Sequence, residues 1–418
     1  MDFALSEDQE MLKTMARDFL EKECPEAVVR QIETDERGYS PELWRQIAEL
    51  GWLGISIPEE YGGTGGDAVD LMVIHEEMGR ALFPSPHLST VVLCGHTILE
   101  AGSDEQKKEL LPKIVNGELI LAMALTEPES SWDGKAWDPE GVTVRAVPDG
   151  DDYIIDGIKL FVHDAHIADY LLCAARTRDD GPSEEGITLF LVDAKSPGIS
   201  YELLDTLANR NKQCEVVFDK VKVPKQNIVG ELNDGWAPLF KSVKTGAVLL
   251  CAQMVGAGQR IEELTVDYAK TRIQFDMPIG INQHVQEHCV QLVIRQDACR
   301  YATQYAAWAL GQPGQDMEVA MAKAWCSEAF EHICWRAHQV FAGVGTMAVL
   351  HIMPLYTRRG IVMENYLGDT PFWLEKVALE LEKLPPHMKT KGKPLGLWDP
   401  QRKQVPVWEI WREYAESL

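Results

Sequence analysis

Arg272, Gln274, Phe275 and Gln283 stand close together in one short link, and their side chains suit one task. A guanidinium can grip two phosphate oxygens at once, and amides can hydrogen-bond the polar edge of a ring. The sequence on either side explains how they would be held. Cys251, Val255, Ile261, Leu264 and Tyr268 recur at helical spacing and predict a helix that ends near Lys270 to Arg272. Pro278 and Gly280 break the chain, and a second helix opens near Asn282. The link therefore points to a bound dinucleotide, with the rest of the chain building the pocket beneath it. Each residue also has a plainer reading. Arg272 could offset a helix dipole, Phe275 could belong to the core, and Gln283 could be a surface amide.

Other patterns compete for attention. His284-Val285-Gln286-Glu287-His288 puts two histidines on one helical face, as in some zinc hydrolases. The pattern is short and abuts Gln283, so no metal is expected. Gly256-Ala257-Gly258 and Gly343-Val344-Gly345 echo a nucleotide-binding loop, but neither follows a strand of a βαβ unit.

Composition narrows the class. The chain has 418 residues, enough for two or three domains. A net charge of -25 argues against nucleic-acid binding, since a phosphate backbone needs neutralising cations. It leaves room for a local basic pocket. No run approaches the roughly 18–20 apolar residues that a membrane span needs. The acidic start, MDFALSEDQEML, resembles neither a secretory signal nor a transit peptide, so a cytoplasmic location is expected. Nine cysteines are scattered without a CxxC pair, which suits reduced, buried thiols.

The chain reads as α+β. Residues 1–120 predict helices, with Ser6/Gln9 and Ser103/Gln106 as capping boxes and Ser40-Pro41 as a cap followed by a first-turn proline. Gly51–Pro58 reads as an extended apolar run. From 121 to 232 the period changes to alternation, in runs at 119–125, 142–147, 153–162, 170–176, 188–193 and 214–223. These predict a compact antiparallel barrel or sandwich. Residues 233–384 return to long helices, and 385–418 form an extension. Its aromatic residues (Trp398, Trp408, Trp411, Tyr414) are expected at a subunit interface.

Helices, then a β domain, then a helical bundle is an uncommon order, and four blocks within it resemble the acyl-CoA dehydrogenase family over residues 1 to about 383. Ala124-Leu125-Thr126-Glu127-Pro128 is similar to the family's flavin signature, although Glu129-Ser130-Ser131-Trp132-Asp133 replaces its usual small-residue run. Gly157-Ile158-Lys159-Leu160-Phe161-Val162-His163 resembles the next flavin strand, with Phe161 and His163 where the family has Trp and Thr. Arg272, Phe275 and Gln283 keep the spacing of the third block, and Gln339-Val340-Phe341-Ala342-Gly343 resembles the fourth.

The resemblance implies a N-terminal helical domain, a middle antiparallel β domain and a C-terminal four-helix bundle. It implies FAD lying across a subunit interface of a homo- or hetero-oligomer. An acyl-CoA thioester would be the substrate, and an electron-transferring flavoprotein or similar acceptor the redox partner. Arg272 would hold the pyrophosphate, with Phe275 packed on the dinucleotide. Gln283 and Gln339 would bond the adenosine side, and Gly343 would admit the cofactor to the backbone. Leu125 and Thr126 would meet the ring, and Ser131 a phosphate. His163 would either donate to the ring edge or be a satisfied histidine of the β domain.

The chemistry the family performs needs a base for the substrate α-proton. The late loop that carries it in many members reads Glu364-Asn365-Tyr366-Leu367-Gly368-Asp369-Thr370, with Leu367 at the glutamate position. The alternative position falls near Lys244-Thr245-Gly246, again without a carboxylate. Asp369 and Glu364 are weak candidates, and Asp369 also suits a cap for the following helix. Three expectations follow. The chain could be one subunit of a hetero-oligomer. It could be a homo-oligomer with altered chemistry, including monooxygenation. It could be an inactive scaffold that retains FAD.

Overall fold

The computed structural model describes residues 3–130, 136–207, 212–312, 314, 316–348 and 351–383. Residues 1–377 form one body and 378–418 a second unit, of which only the start is described. Ser131, Trp132 and the aromatic residues of the extension lie outside the described residues.

Six helices open the chain: α1 (Glu7–Glu23), α2 (Glu26–Thr34), α3 (Pro41–Glu49), α4 (Ala68–Arg80), α5 (His96–Ala101) and α6 (Asp104–Val115). Both expected capping boxes form: Ser6 Oγ accepts from Gln9 N and Ser103 Oγ from Gln106 N. Ser40 caps α3 with Pro41 in its first turn. The run Gly51–Pro58 is not extended. It folds into short helical turns around Trp52–Gly54, because Gly51 enters with a left-handed φ of 79°. Leu88–Gly95 forms a wide π turn that continues into α5.

The middle region is one eight-stranded sheet of β1 (Leu121–Ala124), β2 (Arg145–Asp149), β3 (Asp152–His163), β4 (Tyr170–Arg176), β5 (Ile187–Asp193), β6 (Ile199–Leu203), β7 (Gln213–Pro224) and β8 (Ile228–Val229). Most neighbours are antiparallel, as expected, with two parallel contacts that the sequence did not indicate. β1 lies parallel to β4, with Leu121 opposite Tyr170, and β2 touches β4 in parallel at Arg145 and Arg176. Strand β6 carried no alternation strong enough to predict.

The C-terminal helices are α7 (Trp236–Thr271), α8 (Gln283–Ala309), α9 (Asp316–Phe341), α10 (Met353–Asn365) and α11 (Thr370–Lys383). A small hairpin of β9 (Ile273–Gln274) and β10 (Met277–Pro278) joins α7 to α8. α7 crosses α4 at a point where a Cβ on Gly256 would stand 1.7 Å from the Glu76 carbonyl. Only glycine permits that approach. All nine cysteines are free, and all but Cys289 are buried.

Beneath β1 and β3 lies a fully buried ion pair. Lys159 Nζ donates to Glu127 Oε1 at 2.5 Å and to the Leu125 carbonyl at 3.1 Å. The Glu127 carboxylate also accepts from Thr143 N and Oγ1 and from Val144 N. The pair thus pins the Leu125–Glu127 segment against β3. Glu127→Ala leaves a buried ammonium uncompensated and is expected to cost about 3–5 kcal/mol. Chemical denaturation of wild type and variant measures the difference.

Candidate functional site

An open cleft of about 720 Å³, counted to its mouth, lies between the sheet and α10. Trp137, Phe161, Ile361, Val362 and Tyr366 give it apolar walls, and Thr126, Gln213 and Asn365 put polar groups at its edge. Flat apolar walls with a few polar groups at the rim fit a flavin ring. The Thr126 hydroxyl donates to the Leu160 carbonyl at 2.5 Å, and Leu160 N donates back to the Thr126 carbonyl at 2.8 Å. This exchange locks the segment to β3. Phe161 is held at a φ of 56°, where the register of β3 against β7 slips. A left-handed phenylalanine is strained, and the strain turns its ring toward the cleft. Leu125 is buried and does not line the cleft.

His163 lies behind the cleft wall, against Tyr366 and Gln213. Its ring stacks on Tyr366 at 3.8 Å, and its Nε2 meets the Gln213 amide at 2.7 Å. Burial, with the Arg359 charge, pushes its pKa down to about 3, so the ring is neutral. Behind it lies a narrow polar chamber lined by His75, His87, Ser89, Asp164, Gln253 and Arg359. The Asp164 carboxylate accepts from Ser89 Oγ at 2.6 Å. Burial raises its pKa to about 6, against the pull of Ser89 and Arg359. None of the chamber's charged residues was singled out from the sequence. The chamber's residues come from five distant segments, and only the fold joins them.

The remaining flavin candidates form a second group at one end of the bundle. Tyr268, one turn before Arg272, touches Phe341, between Gln339 and Gly343, at 4.8 Å. Arg272 closes α7 and makes no ion pair among the described residues. Phe275 is 98% exposed at the hairpin tip with a φ of 53°, which removes the core reading. The Gln274 side chain donates to the neighbouring Ile273 carbonyl, and Gln283 and Gln339 are exposed. Gly343 faces open space, and the left-handed residue of that turn is Ala342. None of this group lines the cleft.

The loop after α10 contains no carboxylate aimed at the cleft. Leu367 is fully buried with a φ of 61°, and a Cβ on Gly246 would stand 2.6 Å from its Cδ1 and 3.0 Å from Leu93 Cδ2. Leucine and glycine therefore share one volume. Lys323 Nζ fixes the turn by donating to the Glu364 and Gly368 carbonyls and to Ser327 Oγ. Asp369 accepts from Phe372 N at 3.0 Å and caps α11. Glu364 is pushed up to about 7 by burial and Glu331, and it does not line the cleft.

His284, Glu287 and His288 bring their ligand atoms within 4.8 Å. A cation already stands among them. Arg336 Nη1 lies 2.7 and 2.9 Å from the Glu287 oxygens and 3.2 Å from His288 Nδ1.

Asp164 carries a pH signature. Its folded pKa is raised, so the folded protein holds the proton more tightly than the unfolded chain. Its contribution is fully present below the unfolded value of 3.8 and is lost as pH rises through about 6. Asp164→Asn should remove that loss and stabilise the protein at pH 7–8 by about 1–3 kcal/mol, with no gain at pH 4. Thermal melts across that range test it.

The acyl-CoA dehydrogenase N-terminal, middle and C-terminal domains match residues 6–118, 122–221 and 233–378. A 3-(aryl)acrylate reductase of Clostridium sporogenes is 32% identical over 388 residues, 90% of this chain and 99% of that one. The caffeyl-CoA reductase-Etf complex subunit CarC of Acetobacterium woodii is 32% identical over 84% of this chain and 92% of its own. The solved structure of PigA with FAD and proline aligns with a TM-score of 0.84 at 26% identity, covering 91% of this chain and 99% of that one. No described helix is long and apolar enough to cross a membrane. The three matched domains, with a cleft fit for a flavin ring, place the chain in the acyl-CoA dehydrogenase family, whose members are FAD-dependent oxidoreductases acting on acyl-CoA thioesters.

Proposed function

We propose that this chain is the partner-dependent subunit of a hetero-oligomeric acyl-CoA oxidoreductase, contributing flavin contacts but no proton-abstracting carboxylate. One observation carries the reading. The cleft lining holds no acid among the described residues, and the position where the family resemblance puts the base is filled by Leu367 packed into the space beside Gly246. Bound FAD supplies the hydride acceptor or donor. Thr126 and Gln213 orient the ring edge, Phe161 and Tyr366 exclude water, and the α-proton goes to a carboxylate of the partner.

The split of the flavin candidates supports the same reading. Arg272, Phe275, Gln283 and Gln339 stand exposed at the bundle end, about 20 Å along α10 from the cleft at 1.5 Å per residue. Such exposed groups suit the cofactor of a neighbouring subunit. The relative from Acetobacterium woodii is a subunit of an Etf complex, which supports an electron-transferring flavoprotein as redox partner here.

Two measurements decide it. The purified chain alone, and co-expressed with a second family member from the same genome, is assayed for flavin content and for bleaching by a panel of acyl-CoA thioesters. Bleaching is expected only in the pair. A chain that is fully loaded and bleached by itself sinks the proposal. Arg272→Ala removes a charge-assisted contact and should weaken FAD retention by about 1.5–3 kcal/mol, read by equilibrium dialysis of the assembled protein.

A further inference from the structure

Arg359, on α10, donates from Nη2 to Gln253 Oε1 at 3.0 Å. That contact fixes a chain of further bonds. The Gln253 amide nitrogen lies 2.9 Å from His75 Nδ1. His75 Nε2 lies 3.2 Å from His87 Nδ1, and His87 Nε2 lies 3.3 Å from the Trp52 carbonyl. A guanidinium can only donate and a carbonyl can only accept. With both ends fixed, one proton arrangement satisfies every bond: each group donates to the next, from Arg359 to Trp52. Both histidines must then be neutral, because a second proton would set two N–H groups against each other. Burial enforces this, holding His75 well below its usual value and His87 near 4.

This wire crosses α10, α7, α4 and the segment before the π turn. His75, His87 and Gln253 are all at least nine-tenths buried. It leaves the Arg359 charge in the chamber behind His163 and Tyr366. The same charge depresses both His163 and Asp164, so its field reaches the cleft wall. Salt screens a charge in such a place only weakly.

We propose that Arg359, locked by the Gln253–His75–His87 wire, is an electrostatic positioning residue that stabilises negative charge on the flavin ring in the adjoining cleft, with Asp164 opposing it. The inference rests on the reading of the cleft as the flavin site. Reduction of the ring adds two electrons and one proton and leaves one net negative charge. A fixed cation one side-chain layer away favours that state, and a fixed carboxylate disfavours it.

The test uses the full-length, FAD-loaded protein, together with its partner subunit where loading requires one. Dithionite reduces it in the presence of a reference dye, and the ratio of reduced to oxidised flavin is read by absorbance. At the wild-type midpoint, Arg359→Gln should lower that ratio at least about tenfold, equivalent to about 30 mV for a two-electron couple. Asp164→Asn should raise it at pH 8. Arg359→Lys should keep most of the wild-type ratio. Gln253→Leu, which removes this anchor of the guanidinium, should lower the ratio about threefold and serves if Arg359→Gln does not fold. A structural role alone would move Arg359→Gln and Asp164→Asn in the same direction, and that result overturns the proposal. So does a ratio in Arg359→Gln, or in Gln253→Leu where it stands in, unchanged from wild type. If the wild type takes no FAD under any pairing, the reading of the cleft fails, and the inference with it.

Discussion

The backbone of α4 lies directly on that of α7, and this contact governs the interior. It requires a hydrogen in place of a side chain at Gly256, where a Cβ would collide with the Glu76 carbonyl. The crossing puts His75 beside Gln253 and so closes the wire that holds Arg359. It also brings two acidic residues of α4 into the interior. Glu76 and Glu77 are buried there only because Lys13 and Arg17 of α1 reach them at 2.8 and 2.7 Å. An unpaired carboxylate at either place would be costly. The N-terminal helices are therefore tied to the bundle by charge as well as by apolar packing.

The sheet does the corresponding work on the other side of the cleft. Strand β3 is long, and its register against β7 slips twice. The second slip, between Lys159 and Val162, sets Phe161 in a left-handed conformation beside the cleft. Lys159, just before it, is anchored inward by Glu127. An inward anchor followed at once by an irregularity aims Lys159 and Phe161, two residues apart, at different tasks, as bulges near functional sites do.

Local rules made much of this legible in the sequence. Caps at Ser6, Ser40 and Ser103, the alternation of most strands and the break at Pro278 and Gly280 are encoded within a few residues of where they act. Gly51–Pro58 misled because an apolar run has no period to separate strand from turn, and Gly51 decided the matter through a left-handed φ. The parallel pairing of β1 with β4 depends on residues far apart in the chain, as does the meeting of Arg359, Gln253, His75 and His87. Motif spacing found Thr126 and Phe161, which line one cleft, and His163, which stacks on Tyr366 behind its wall. It also found Arg272, Phe275 and Gln339, which share one end of the bundle but not that cleft. Spacing along a chain carries no information about which copy of the chain a side chain serves.

If a base belongs at 367, as the family resemblance implies, its replacement is a matter of volume as much as of chemistry. Had a glutamate at 367 simply been lost, a cavity or a water-filled pocket would mark the place. Instead Leu367 is fully buried, its backbone turn is held by Lys323, and its methyl groups occupy the space that any side chain at 246 would need. An ionised carboxylate put back at 367 would face Leu88 and Leu93 with no partner, at a high desolvation cost. The loop, the glycine on α7 and the leucines of the π turn thus pack together around an apolar filler.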